Sequence, residues 1–461
     1  MTKAVKRKQA EAGTTGIGGS RAIALSRDDG RGEHSPLPPT DSDGVVGHHR
    51  YPVWWTGDAV PLMASVESMV DESVHNFRAF VHSDCGGHGT EFRNNNSHGG
   101  GVRVSDKMLL RWTAHCVFGT ILRFHQGDHR PWLRPKATAD QFRSLLQLRY
   151  RLAPSLIAAG VTVQHAGFPL VARCDLLWPE YAADGAASNT QYIHLNATLV
   201  APLADPHDQN SKSEVWGDDD EWGMGGGNRS VFIPPGEWES VWDGSTVIGP
   251  KTIAAPVPGD SKSITMPILA WHQRGGLVAT VEDPEALRIQ EQDWSSLTLH
   301  AWPDKRANVA HRDIYEREGD ADYGRRTRLT LETDGRGGTL VCVVAVGGRG
   351  SDSYEQQAGT STMGRSWVVR VHLRRGERVV RANATGLKTA PASVGGGSRI
   401  NVEHVYPIGG CTPSATMAQT AVPFGGRGAR PSCGAGPIAE VTIPAASAAS
   451  VSIRMQVAGR E

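Results

Sequence analysis

The stretch Arg50-Tyr51-Pro52-Val53-Trp54-Trp55-Thr56-Gly57-Asp58 decides how this chain is read. Residues 51–55 are rich in β-branched and aromatic side chains, which suits a strand, and Gly57 permits a tight turn that aims the Asp58 carboxylate at the strand end. Beyond it Val60, Met63, Val66, Val70 and Val74 recur at helical spacing, so a strand passes into a helix. In a β/α barrel the strand ends form the active face, and flat indoles there offer apolar platforms for sugar rings. A second reading of Asp58 stays open, because a carboxylate just ahead of a helix also serves as its N-cap.

The same alternation extends to both sides. Residues 22–25 form a short apolar run before Ser26-Arg27, and Phe80-Val81-His82 gives a further strand. Asp106 can cap a helix that runs to about Phe118, and residues 120–124 suit another strand. Phe142, Leu145, Leu146, Arg149, Leu152 and Leu156 outline a long helix expected to stop at Gly160. About four strand-helix units with polar loops at the strand ends describe a parallel α/β fold, of which the β/α barrel is one form. Beyond about residue 161 the helical period fades. Short β-rich runs at 192–200, 230–233, 277–281, 339–346 and 367–373 then imply two β modules, the first ending near 282. A Ser/Gly/Asp-rich insert at 211–228 and an Ala/Gly/Pro/Ser-rich tail after 411 are expected to be mobile loops, and residues 1–20 a disordered leader.

Composition limits the functions available. A chain of 461 residues suits about three domains of roughly 150 residues each. Forty-eight basic residues balance 48 acidic ones, so no overall field draws in nucleic acid or anionic lipid, and a neutral partner fits better. The cysteines at 85, 116, 174, 342, 411 and 433 never form a C-x-x-C spacing and are expected as buried thiols rather than disulfides. The basic start lacks the apolar run of a signal peptide, and the longest apolar run, 341–346, is too short to span a membrane. Localisation stays open. Gly16-x-Gly18 lacks the third glycine of a dinucleotide site, and 218–221 lacks the alternating ligands of a calcium loop. His125, Asp128 and His129 do not share a helical face across Gly127, so neither a metal nor a cofactor is expected.

Further motifs stand in a fixed order around Asp58. Leu25-Ser26-Arg27 precedes it; His82-Ser83-Asp84-Cys85-Gly86-Gly87-His88 follows; then come Arg111-Trp112 and Leu122-Arg123-Phe124-His125. Taken singly, Arg27 suits an ion-paired surface position, Asp84 a turn before glycines, and His125 a structural histidine. Together with Tyr150-Arg151-Leu152-Ala153-Pro154, Pro169-Leu170-Val171-Ala172-Arg173 and Pro234-Pro235-Gly236-Glu237-Trp238, the series resembles glycoside hydrolase family 31 over roughly residues 20–380.

That resemblance implies a fold and a chemistry. The expected fold is α/β plus all-β: a partial (β/α)8 TIM barrel, its C-terminal half, at 21–160, then two β-sandwich-like domains at 161–282 and 283–461. Asp58 takes the acid/base position of a retaining exo-acting α-glycosidase. Arg27, Trp55, Asp84 and His125 contact the bound glycosyl unit, and His88 stands in the pocket wall where many members carry an aromatic. The implied partner is an α-linked oligosaccharide or glycoside. A retaining enzyme also needs a second carboxylate about 5 Å from the first, as nucleophile. In the family it lies in a Trp-x-Asp-Met-Asn-Glu-like segment upstream of the Ser-Arg element, and this sequence holds none. The chain is therefore expected to be the back half of a longer enzyme and feeble by itself. A degenerate protein that binds sugar or a partner without hydrolysis is the alternative.

Overall fold

The computed structural model describes residues 25–26, 53–56, 62–75, 80–86, 106–124, 130–203, 228–241, 244–256, 268–283, 285–318, 321–346, 366–374, 376–385, 398–399, 403–405, 438–443 and 450–459. The expected leader and all but the last residue of the insert expected at 211–228 lie outside them; Asn228 begins a strand. Three short strands, β1 (Leu25–Ser26), β2 (Val53–Trp55) and β3 (Phe80–His82), run parallel in that order, with Ser26 opposite Trp54 and Trp54 opposite Val81. Four α-helices accompany them among the described residues: α1 (Leu62–His75), α2 (Asp106–Phe118), α3 (Lys136–Arg151) and α4 (Ala153–Ala166).

Helix α1 buries Leu62, Met63, Val66, Met69 and Val70; of the residues expected at helical spacing, Met63, Val66 and Val70 are buried, Val74 is half-buried and Val60 lies outside the described residues. Helix α2 differs, because every residue from Met108 to Phe118 is buried. A helix covered all round needs partners on two sides. Helix α3 lies on one side of α2, and strands Thr198–Pro202 and Ile268–Gln273 of the first β unit lie on another. One core consequently runs without a break from Trp54 and Met63 through Trp112 to Val200 and Ile268.

Two expectations in this region change. Residues 120–124 form no strand beside β3; Cys85 and Phe124 make a single parallel bridge, and Cys85 N–H donates to Arg123 O at 3.0 Å. The Thr120 hydroxyl accepts from Val81 N–H at 2.7 Å and donates to Val81 O at 2.6 Å, occupying both groups that a fourth strand would have paired. The long helix expected to stop at Gly160 instead divides at Leu152 and ends at Ala166, where Gly167 takes φ +69° as a left-handed cap. Pro154 supplies no N–H for the carbonyl of Tyr150, and Gln292 Nε2 donates to that oxygen at 2.9 Å instead. Gly160 stays helical with room for the Phe80 ring, 3.5 Å from where its Cβ would sit.

The rest of the described chain is β structure. A six-stranded antiparallel sheet is built in the order Val171–Ala172, Tyr192–His194, Thr198–Pro202, Ile268–Gln273, Asn228–Ser240 and Thr246–Pro256. A five-stranded sheet starts with Leu277–Val281, which pairs with Ser296–Ala301 and so hydrogen-bonds into the second β unit rather than the first. A six-stranded sheet from Ala307–Glu318 to Ser450–Gly459 faces it, and the two share a core of Leu297, Leu299, Trp367, Leu329, Val341 and Ile453. The tail expected to be mobile supplies two of these strands. Ile438–Ile443 and Ser450–Gly459 alternate apolar and polar residues, and the latter sits in mid-sheet between Gly338–Val346 and Glu377–Thr385. None of the described helices is long and apolar enough to cross a membrane.

At the junction of the two β units an aromatic stack closes the seam. Trp302 lies with its ring centroid 4.1 Å from His272 and 4.4 Å from His372, and His300 Nδ1 is 2.9 Å from His372 Nε2. Burial holds all three imidazoles below their ordinary range, and the neighbouring Arg274 adds repulsion at His272, which is pulled down to about 3. The folded values lie below the unfolded value near 6.5, so the unfolded chain binds more protons as the medium acidifies. Stability is then full above about pH 7 and falls below 6.5 by about 1.4 kcal/mol per pH unit per histidine. Urea midpoints are expected to be level from pH 7.5 to 9 and to fall from 6.5 to 5, less steeply in His272→Gln; a level acid limb in the unaltered protein would contradict buried neutral rings.

A disulfide corrects the expectation of free thiols for two of the six cysteines. Cys85, three residues after β3, is joined to Cys116 of α2 with Cα atoms 6.2 Å apart, whereas Cys174 and Cys342 are free, and Cys411 and Cys433 lie outside the described residues. The bond closes a loop spanning a sequence separation of 31, for which chain entropy gives roughly 3.5 kcal/mol. Cys116→Ser is expected to lower unfolding stability by about 2–4 kcal/mol, and reductant should do the same to the parent but not to the variant. Equal stability of parent and variant would remove the bond from the account.

Candidate active site

The carboxyl ends of β2 and β3 bring Trp55 and Asp84 together. Trp55 Nε1 donates to Asp84 Oδ1 at 3.3 Å across 29 residues of sequence. Arg123 Nη1 donates to the same oxygen at 2.9 Å and lies 2.9 Å from His82 Nε2. Asp84 is only 4% exposed, while the Arg123 side chain is about half exposed. A carboxylate so enclosed is costly unless a charge and donors accompany it, and Arg123 supplies both. The result is a fixed acceptor whose position is set by an indole on one side and a guanidinium on the other.

Backbone groups hold these side chains in place. Thr56 N–H donates to His82 O at 2.9 Å, which carries the β2–β3 register past the last strand residue, and Cys85 N–H donates to Arg123 O. Behind them Arg149 donates to Val117 O at 2.9 Å, Gly119 O at 2.6 Å and Thr120 O at 2.7 Å, satisfying carbonyls at the end of α2. Burial pulls the Arg149 guanidinium down to about 10, still fully charged at neutral pH. Thr120 in turn grips Val81, three residues before Asp84. Hydrogen bonds thus lead from Arg149 to Thr120 and from Thr120 to Val81, and the strand itself leads on to Asp84.

Of the residues expected in the site, Trp55 and Asp84 are thus in contact. Arg27, Asp58, His88 and His125 lie outside the described residues, next to elements that are described: Arg27 follows β1, Asp58 follows Thr56 by two residues, and His125 follows Phe124. Arg123 and His82 were not singled out as site residues. Their sole signal was membership of the motifs that contain Asp84 and His125, because a guanidinium 39 residues from its carboxylate leaves no trace in sequence spacing.

Comparison with known proteins places this geometry. Residues 41–159 match the glycosyl hydrolases family 31 TIM-barrel domain. A probable alpha-glucosidase of rice (Oryza sativa subsp. japonica) is 24% identical over 271 residues, 57% of this chain and 26% of that protein. Alpha-xylosidase 1 of Arabidopsis thaliana is 20% identical over 249 residues, 51% of this chain and 23% of that protein. The chain spans about a quarter of the length of these relatives. Among solved structures, a Flavobacterium johnsoniae family 31 dextranase in complex with isomaltotriose superposes with a TM-score of 0.61 at 14% identity, covering 98% of this chain and 48% of that one. The Gracilariopsis lemaneiformis alpha-1,4-glucan lyase gives 0.62 at 16% identity, covering 99% and 40%. At such identities the structural likeness speaks for the fold, while the matched barrel segment and the sequence relatives speak for descent. The matched segment, residues 41–159, contains Trp55, Asp84 and Arg123, so the described site lies in the part of the chain that is similar to the family 31 barrel domain.

Proposed function

We propose that this chain carries the acid/base and sugar-binding side of a retaining, exo-acting α-glycosidase site for α-glucosides or related α-glycosides. The observation that carries this reading is the convergence of Trp55 and Arg123 on Asp84 at the ends of parallel strands. An ionised carboxylate held there accepts hydrogen bonds from sugar hydroxyls, and an indole beside it offers an apolar wall. Arg27, His88 and His125 complete the surroundings of the glycosyl unit. The relatives are named for α-glucosidase and α-xylosidase activity, and the dextranase is bound to an α-linked trisaccharide, in keeping with this substrate class. The division of the chain goes with it: a portion of a barrel to about 160, then two sandwich-like β domains, the second beginning with the strand Leu277–Val281 rather than after 282.

In the reaction, the Asp58 carboxylic acid protonates the departing glycosidic oxygen while a second carboxylate attacks the anomeric carbon and forms a glycosyl-enzyme. Asp58, now ionised, takes a proton from the water that releases the sugar. The family's nucleophile segment is not in these 461 residues, so on this reading they bind the glycoside and hydrolyse it feebly. In a form supplied with that segment, Asp58→Asn is expected to slow maltose hydrolysis by about 10²–10⁴-fold and to spare only the first step with an aryl α-glucoside, whose leaving group needs no proton, so that aryl release shows a burst and the glycosyl-enzyme accumulates. Unchanged maltose turnover would overturn the acid/base role. For the 461-residue chain, Asp84→Asn should weaken maltose binding about tenfold by calorimetry, the equivalent of one charge-assisted hydrogen bond.

A further inference from the structure

A cavity of about 520 Å³ opens between the two β units, well apart in sequence from the barrel motifs. This volume lies within the roughly 300–1,000 Å³ usual for small-molecule sites. Its walls come from four places: the turn after Ile268–Gln273, the start of Ala307–Glu318, the bend of Asn228–Ser240 and the hairpin turn at Asn196. The lining is polar, with the amides of Asn196, Gln273 and Asn308, the guanidinium groups of Arg274, Arg306 and Arg312, and one carboxylate, Asp304, beside Arg306.

The charges around it are unevenly matched. Arg274 is ion-paired with Glu239, and Arg374 takes Glu237 at 2.7 Å. Arg306, largely exposed at the rim, stands 3.8 Å from Asp304. Arg312 has no carboxylate partner among the described residues; it donates to the backbone oxygens of Leu277 and Leu195. Backbone carbonyls satisfy its N–H groups but leave its full charge in a desolvated setting, and burial pulls it down to about 10 with no anion acting in the other direction. A part-buried cation lining a polar cavity, with a second, exposed cation at the mouth beside Asp304, is an arrangement that a bound oxyanion would complete. The amides beside it both donate and accept, which suits hydroxyl groups.

We infer that this cavity is a second ligand site, for a small polyhydroxylated molecule bearing an oxyanion, such as an acidic or phosphorylated sugar, with Arg312 as the anion anchor and Arg306 as the rim contact. It is independent of the glycosidase reading, since none of its residues belongs to the barrel segment. The test is calorimetric titration of the 461-residue protein with glucuronate, glucose 6-phosphate and glucose. Glucuronate or glucose 6-phosphate is expected to bind at least tenfold more tightly than glucose, with affinity falling as salt rises. Arg312→Gln should lower that affinity at least tenfold, and Arg306→Glu, an exposed change that leaves the fold alone, several-fold; Asp84→Asn should leave it unchanged. The inference is overturned if neither anion binds more tightly than glucose. It is equally overturned if Arg306→Glu retains full affinity, whether or not Arg312→Gln folds.

Discussion

From Met108 to Phe118 the helix Asp106–Phe118 has no residue turned to water, and the arrangement of the chain around it follows from that constraint. Its Leu109, Leu110, Trp112, Val117 and Phe118 are each buried to within about 2%, so the strand-helix region and the first β unit have to meet across it. Burying side chains of that size contributes roughly 1.5–3 kcal/mol apiece relative to exposure. Separating the two units would expose much of this surface. The polar groups on the helix are accommodated within the same packing: Tyr192 OH approaches His115 Nδ1 at 3.5 Å, and burial keeps that imidazole neutral, down to about 3.

The site inherits its rigidity from this helix. Arg149 ties the carbonyls at the helix end, Thr120 ties the turn after it to Val81, and Cys116 is bonded to Cys85 beside Asp84. The last two restrain the backbone within three residues of the carboxylate. A group meant to meet a sugar must be held to fractions of an ångström, and a carboxylate on a short strand end would not be held so by its own two neighbours. Arg123 does more than compensate charge, since its half-exposed side chain leaves Asp84 enclosed yet next to solvent.

The β units are joined to the helical part by a few specific contacts rather than by area alone. Ser155 Oγ both donates to Ala279 O at 2.8 Å and accepts from Ala279 N–H at 3.0 Å, so the edge strand Leu277–Val281 is paired by a helix side chain. Arg151 reaches Glu282 at 3.1 Å, and Tyr150 OH donates to Leu287 O at 2.8 Å. These contacts accompany the pairing of Leu277–Val281 with the second β unit: it is hydrogen-bonded to Ser296–Ala301 and packs on Ala153–Ala166, while Val278 reaches the core around Val200 and Ile268.

Local pattern by itself determined a good deal of this protein. The helices at 62–75 and 106–118, the strands at 53–55 and 80–82 and the order of motifs that marks family 31 are all properties of short windows, because periodicity and turn chemistry act over a few residues. The tail strands Ile438–Ile443 and Ser450–Gly459 were legible by the same rule in their alternation, but the Gly, Ala and Ser around them masked it. What only the tertiary structure decided is pairing at long range: Arg123 with Asp84, Cys85 with Cys116, Thr120 in place of a fourth strand, and the seam of His272, Trp302, His300 and His372. Each depends on two segments meeting after the core has formed. Side-chain geometry at such a meeting leaves no periodic signal in either segment, so the motif around Trp55 could name the family, while only the folded chain shows what holds Asp84 in place.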